Sequence, residues 1–202
     1  VAYYPFQDAS GNVSLADVSG NGNSGTLSGG EELIAGKIGK TTLGFLSTSG
    51  LAPWSFSGLS LSGWVSPSGV FAISSGGFSV NTAGVVTLGL SVSRQLYRWS
   101  VYVNDVVVFT LPNSSPSWSS TGGEYRHGVV SCSPTGAIKF FVNGVLVYKG
   151  TGGTTTGTID EIVAGSGTRV STDEIGVWDR ELTDEECRRL YNGGAGLPYP
   201  FV

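Results

Sequence analysis

Short apolar runs alternate with Gly, Ser, Asn and Pro along almost the whole chain, a pattern that predicts strands. Runs rich in β-branched or aromatic residues fall at 1–6, 59–65, 70–73, 78–80, 85–92, 96–103, 106–111, 126–131, 138–142, 145–148, 161–164 and 174–178. Turn residues fill nearly every gap, and strands this short and this evenly spaced predict an all-β sandwich of two antiparallel sheets. Two hairpins stand out. Asn143-Gly144 lies between apolar runs and Asn104-Asp105 repeats the arrangement, each pair suited to a turn whose two central residues need positive φ.

One helix is predicted near the end. Thr183 caps it and Glu186 completes a capping box, with Leu182 and Cys187 as the hydrophobic staple. Asp184, Glu185 and Glu186 suit its N-terminus and Arg188 and Arg189 its C-terminus. Gly193 and Gly194 are expected to stop it. A helix of about two turns needs tertiary support, which Leu190 and Tyr191 would give by lying on the sheets.

Hydrophobic residues make up 40% of the chain and charged residues 13%, which excludes a disordered polymer. The 32 glycines show no period of three, so they read as turns and not as a collagen repeat. One core can serve 202 residues of this class, and residues 1–202 are read as a single domain. The chain opens at Val1 without a signal segment and contains no Met, so a segment of a longer polypeptide is expected. The net charge of −4 comes with no basic stripe, which argues against nucleic acid as a partner. No apolar run reaches the length of a membrane-spanning helix.

Cys132 and Cys187 are too few for a disulfide framework and lack the spacing of a zinc site. One bridge is open to a secreted chain, while two separate buried thiols agree better with the burial habits of cysteine.

Several segments, taken in order, carry a resemblance. They are Ala2-Tyr3-Tyr4-Pro5-Phe6, the Asp17-to-Leu27 loop with Gly20-Asn21-Gly22-Asn23, Gly36-Lys37-Ile38-Gly39-Lys40, Leu61-Ser62-Gly63-Trp64-Val65, Lys139-Phe140-Phe141-Val142-Asn143-Gly144 and Asp173-Glu174-Ile175-Gly176-Val177-Trp178-Asp179. Together they resemble laminin-G-like domains of the concanavalin A-like lectin/glucanase superfamily. The hairpin has Asn143 where that family usually has Asp, and residues 66–125 match less well. The ending from Leu190 to Phe201 is similar to the tail of such domains in phage virion proteins. The resemblance implies a jelly roll of two antiparallel sheets.

It also implies sites. Laminin-G-like domains often hold a structural Ca²⁺, and the matching positions here are Asp17, Asn23 and Asp173. Carboxylates and carbonyls on a Gly-rich loop are suitable oxygen ligands. The alternative is a solvated turn whose Asp and Asn bond only their own backbone. Sandwich lectins stack sugars on exposed rings, which makes Trp118, Trp54 and Trp99 the ligand-binding candidates. The alternatives are loops folded back so that Trp118 and Trp54 plug the core, and a core position for Trp99. Trp64 and Trp178 sit in strands and read as core. His127, the one histidine, has no second ligand or base partner in view and reads as structural.

Catalysis is not expected. Glycoside hydrolysis needs two carboxyl groups about 5–9 Å apart. Asp160-Glu161 and Asp173-Glu174 are adjacent pairs, which on regular strands point to opposite faces. No nucleophile elbow accompanies an acid and a histidine. Two readings remain. One is a binding module for glycan or another surface polymer, extracellular or on a virion surface, with other virion or extracellular proteins as further partners. The other is a structural module that decorates or cements an assembly through protein contacts alone.

Overall fold

The computed structural model describes residues 2–6, 14–28, 33–42, 45–48, 54–67, 75–83, 85–93, 98–111, 124–152, 156–164 and 170–197. Its early strands are β1 (Ala2–Tyr4), β2 (Ser14–Leu15), β3 (Gly25–Ser28), β4 (Leu33–Ala35), β5 (Lys40–Thr42), β6 (Phe45–Ser47) and β7 (Trp54–Ser57). Six longer strands follow: β8 (Leu59–Pro67), β9 (Ser75–Thr82), β10 (Val85–Ser93), β11 (Arg98–Val103), β12 (Val106–Thr110) and β13 (Arg126–Cys132). The last five are β14 (Ala137–Val142), β15 (Val145–Thr151), β16 (Thr156–Ile159), β17 (Glu161–Ala164) and β18 (Val170–Trp178).

They form the expected sandwich. The first sheet runs β15-β14-β13-β8-β18-β5-β4, with β1 also paired to β18. The second runs β12-β11-β10-β9-β17-β6-β3-β2, and β7 and β16 make a separate ribbon. Every described pairing between strands is antiparallel. Alternation then sorts the side chains. Leu59, Leu61 and Val65 of β8 and Val130 and Cys132 of β13 face Leu88, Leu90, Val92, Val101 and Val103 of the second sheet in one core.

Trp99 crosses that core to meet Phe140 edge-on, with ring centroids 5.7 Å apart. Gly128 is required there, because a Cβ would lie 2.7 Å from the Trp99 ring. Both thiols are free and buried, and burial pushes each up to about 12. Cys132 lies in this core, and Cys187 lies in a second cluster on the other side of the first sheet.

The two predicted hairpins form as expected. Asn143 and Gly144 have φ of 49° and 75°, and Asn104 and Asp105 have φ of 48° and 61°. Each hairpin then slips register by one residue, at Val147 in β15 and at Val108 in β12. The extra residue turns both outermost strands inward, so Val108, Phe109, Val147 and Tyr148 all pack on the core. Phe109 stacks on Tyr148 at 4.2 Å, linking the two sheet edges.

Helix α1 (Asp184–Tyr191) has both halves of the capping box, and its staple pair Leu182 and Cys187 is buried together. One expectation is corrected. The left-handed turn that ends the helix begins one residue earlier, at Asn192 with φ 48°, and runs on through Gly193 at 61° and Gly194 at 95°. An Asn side chain tolerates that conformation by bonding locally, here by donating to the Gly196 carbonyl at 2.8 Å. The predicted strand at 70–73 lies outside the described residues.

Candidate binding face

Two of the three metal candidates, Asp17 and Asn23, lie against β1. The Asp17 Oδ1 accepts the Tyr3 and Ser19 N–H groups at 2.9 Å each, and its Oδ2 accepts the Asn23 N–H at 3.0 Å. Burial raises the carboxyl, but the bonds from Ser19, Tyr3 and Asn23 outweigh it and hold Asp17 below its ordinary value. The Asn23 carbonyl accepts the Tyr4 hydroxyl. Asp17 therefore ties its loop to the first strand.

Asp173 lies buried under the Ile38 loop, accepting the Ile38 N–H at 3.0 Å and the Glu174 N–H at 2.9 Å. Burial, joined by the nearby charge of Glu174, pushes its carboxyl up to about 8 against those bonds. The expected strict alternation of Asp173 and Glu174 fails. Pairing with β8 jumps between Asp173 and Gly176, and Glu174 takes φ 51°. This bulge buries both acids, and the Tyr3 hydroxyl donates to the Glu174 Oε2. Among the described residues no three Asp, Glu, His or Cys side chains converge as a metal shell would.

The aromatic candidates separate. Trp118 lies outside the described residues. Trp54 opens β7, opposite Ile159 of β16, and packs half-buried against the core, so it belongs to a strand and not to a loop. Trp99 is 3% exposed within the core and has no open face on which a ring could stack. That excludes the platform reading.

The outer face of the first sheet is closed. Val129, Phe141 and Trp178 are covered by Leu182, Cys187 and Leu190. The Ser60 and Ser131 hydroxyls bond each other at 2.8 Å and both receive the Leu182 N–H. Further along, Trp64 lies 4.9 Å from His127 and 5.8 Å from Tyr191, and Lys37 sits over its ring at 4.8 Å. His127 Nε2 bonds Ser62 at 2.9 Å, and burial pushes the imidazole down to about 3. Gly196 completes the cover, since a Cβ there would lie 2.5 Å from Ile38 and 3.2 Å from the Trp64 indole nitrogen.

The outer face of the second sheet carries no described cover. Register aligns Tyr102, Gly89, Ser79, Val163 and Ser47 on five neighbouring strands. That row is roughly 19 Å long at about 4.8 Å per strand. Ser100, Ser91 and Gly77 form a second row beside it. Tyr102, Ser79, Ser91, Ser100 and Glu161 are half-exposed. Ser79 donates to Asn81 Oδ1 at 3.1 Å, and Asn81 Nδ2 donates to Glu161 Oε2 at 2.7 Å. The result is a stretch of small residues, Gly89 buried among them, beside the Tyr102 ring and an Asn81–Glu161 pair in which Asn81 is only 7% exposed. Sequence reasoning missed it, although the alternation in 98–103 already places Tyr102 opposite Trp99, Val101 and Val103.

No family model matches the chain, and no curated protein matches it in sequence. Solved structures do match. The sialidase of Trypanosoma rangeli is 18% identical with a TM-score of 0.66, covering 97% of this chain and 33% of that one. The binding domain of Paraclostridial Mosquitocidal Protein 1 is 15% identical with a TM-score of 0.70, covering 96% and 52%. Botulinum neurotoxin type C, which depends upon interaction with two ganglioside molecules to enter cells, is 12% identical with a TM-score of 0.64, covering 95% and 50%. The chain thus spans from a third to about half of these proteins. At such identities the likeness is one of fold: the chain is a concanavalin A-like, jelly-roll-type β-sandwich.

Proposed function

We propose that this domain is a non-catalytic binding module for carbohydrate or another hydroxyl-rich surface polymer, and that the outer face of the second sheet holds the ligand. The observation that carries this reading is the row of small residues beside Tyr102 and the Asn81–Glu161 pair on a sheet face with no described cover. A phenol ring offers stacking area and a hydrogen-bonding end. Ser79 and Glu161, half-exposed and held by the buried Asn81 between them, offer preorganised polar groups, and the small residues alongside leave room for an extended chain. A toxin binding domain among the similar structures, and a neurotoxin whose cell entry depends upon interaction with two ganglioside molecules, support the class of function. A non-catalytic role is supported by the state of the acids. Asp173 and Glu174 are buried under the closed face, and Asp160 accepts the Ala83 N–H.

The laminin-G-like assignment and a site outside the cell or on a virion surface belong to the same reading. A calcium ion held by Asp17, Asn23 and Asp173 is supported by the resemblance alone. The test is a glycan array probed with the folded domain, with calcium and again with chelator. Reproducible binding supports the module, and loss of binding in chelator supports the ion. A blank array from folded protein sinks the reading.

A structural role through protein contacts has one observation in its favour. Val106, Val107 and Val145 are 60%, 47% and 63% exposed on the outermost strands of the two sheets. Apolar edge positions of this kind suit a protein partner.

A further inference from the structure

A cavity of about 160 Å³ lies between α1, the end of β18 and Leu197. It is apart from the open face, and none of the roles above uses it. Its floor is apolar, because Trp178, Leu182 and Leu190 line it and each is less than a tenth exposed. Its rim carries two guanidinium groups, those of Arg180 and Arg189.

The two differ in state. Arg180 is a fork on Glu186, with bonds of 3.0 and 2.7 Å to the two carboxylate oxygens. Glu186 also accepts the Thr183 N–H at 2.8 Å, so that wall of the cavity is already neutralised. Arg189, three residues further along the same helix face, makes no hydrogen bond or ion pair among the described residues. Arg126, Lys139, Arg180 and Arg188 each have a carboxylate within 4.0 Å. An unpaired guanidinium beside an indole and three leucines is complementary to an anion that has an apolar body.

We propose that this cavity binds a small amphipathic carboxylate. A branched or single-ring body of about six carbons fits a space near five waters' share of liquid. That body rests on Trp178 and the leucines, and the carboxylate meets the planar fork of Arg189. The low polarity of the floor strengthens the ion pair relative to one in open water.

Phenylacetate is the probe, and phenylacetamide is its neutral control of the same shape. Titration of the whole chain, followed by amide and indole chemical shifts, should saturate with a dissociation constant on the order of 1 mM. The largest shifts should fall on Trp178 and the Arg189 segment. Phenylacetamide should bind at least tenfold more weakly, and so should phenylacetate to Arg189→Gln, a variant that removes no hydrogen bond or ion pair among the described residues. Equal binding of acid and amide overturns the proposal. So does an Arg189→Gln variant that binds as the parent does, or the absence of saturable shifts at about twenty times the expected constant.

Discussion

The two sheets are built alike on the inside and differently on the outside. Both send Val, Leu, Ile and aromatic residues into one core. Outward, the first sheet carries Trp64, His127, Phe141, Asp173 and Trp178, all buried beneath the C-terminal segment and the Ile38 loop. The second sheet carries Ser79, Ser91, Ser100, Tyr102 and Glu161, half-exposed and without a described cover. The face with the richest chemistry is therefore closed, and among the described residues the plainer face is the one without a cover.

The comparison breaks most clearly by mutation of the closed face. Phe141→Ala removes a ring from the cluster under α1 and should cost about 3–5 kcal/mol in urea unfolding. A cost below about 1 kcal/mol would mean that the helix does not rest there.

A pH series sharpens the same point. Asp173 has a folded value near 8 against an ordinary 3.8. Its protonated form is the one the fold favours, so its contribution is complete below about pH 4 and is lost as pH rises towards 8. His127 works in the opposite sense. Its value near 3 against 6.5 makes the fold lose stability as pH falls below 6.5. The melting temperature should fall by several degrees between pH 6.5 and 8, where the loss from Asp173 exceeds the small remaining gain from His127. Asp173→Asn, which keeps a neutral acceptor, should flatten that fall. A calcium ion bound by an ionised Asp173 requires the reverse: stability rising with pH in calcium and a chelator-sensitive melting temperature.

Thr183→Ala removes the cap of α1 and should cost about 1 kcal/mol, read as a drop of roughly 2–4 °C in melting temperature. An unchanged melting temperature would separate the helix from the stability of the closed face.

Much of this arrangement was legible in the sequence, for reasons of range. Asn143-Gly144, Asn104-Asp105 and the Thr183–Glu186 box act within a few residues, and each formed where the pattern predicted. The strands from β2 to β7 were all missed, because Ser, Thr and Gly give them little alternating apolar signal and their pairing is set from afar. The site candidates depended on long-range context. Trp99 is core because the partner strand offers Gly128 beneath its ring. Trp54 is held by a strand about a hundred residues later. The bulge at Glu174 defeats any count of alternate positions. The open face was visible only as small polar residues between apolar ones, a pattern shared with any solvated sheet.

The smallest effect on stability and the largest on binding belong to Tyr102→Ala. A half-exposed outward ring should cost the fold no more than about 0.5 kcal/mol. The measurement that tests the central claim most directly is glycan-array binding of this variant beside the parent, with both melting temperatures recorded. The account predicts that the parent's signal is lost in Tyr102→Ala while the melting temperature holds. A parent signal that survives the substitution unchanged would contradict the assignment of the ligand to the open face.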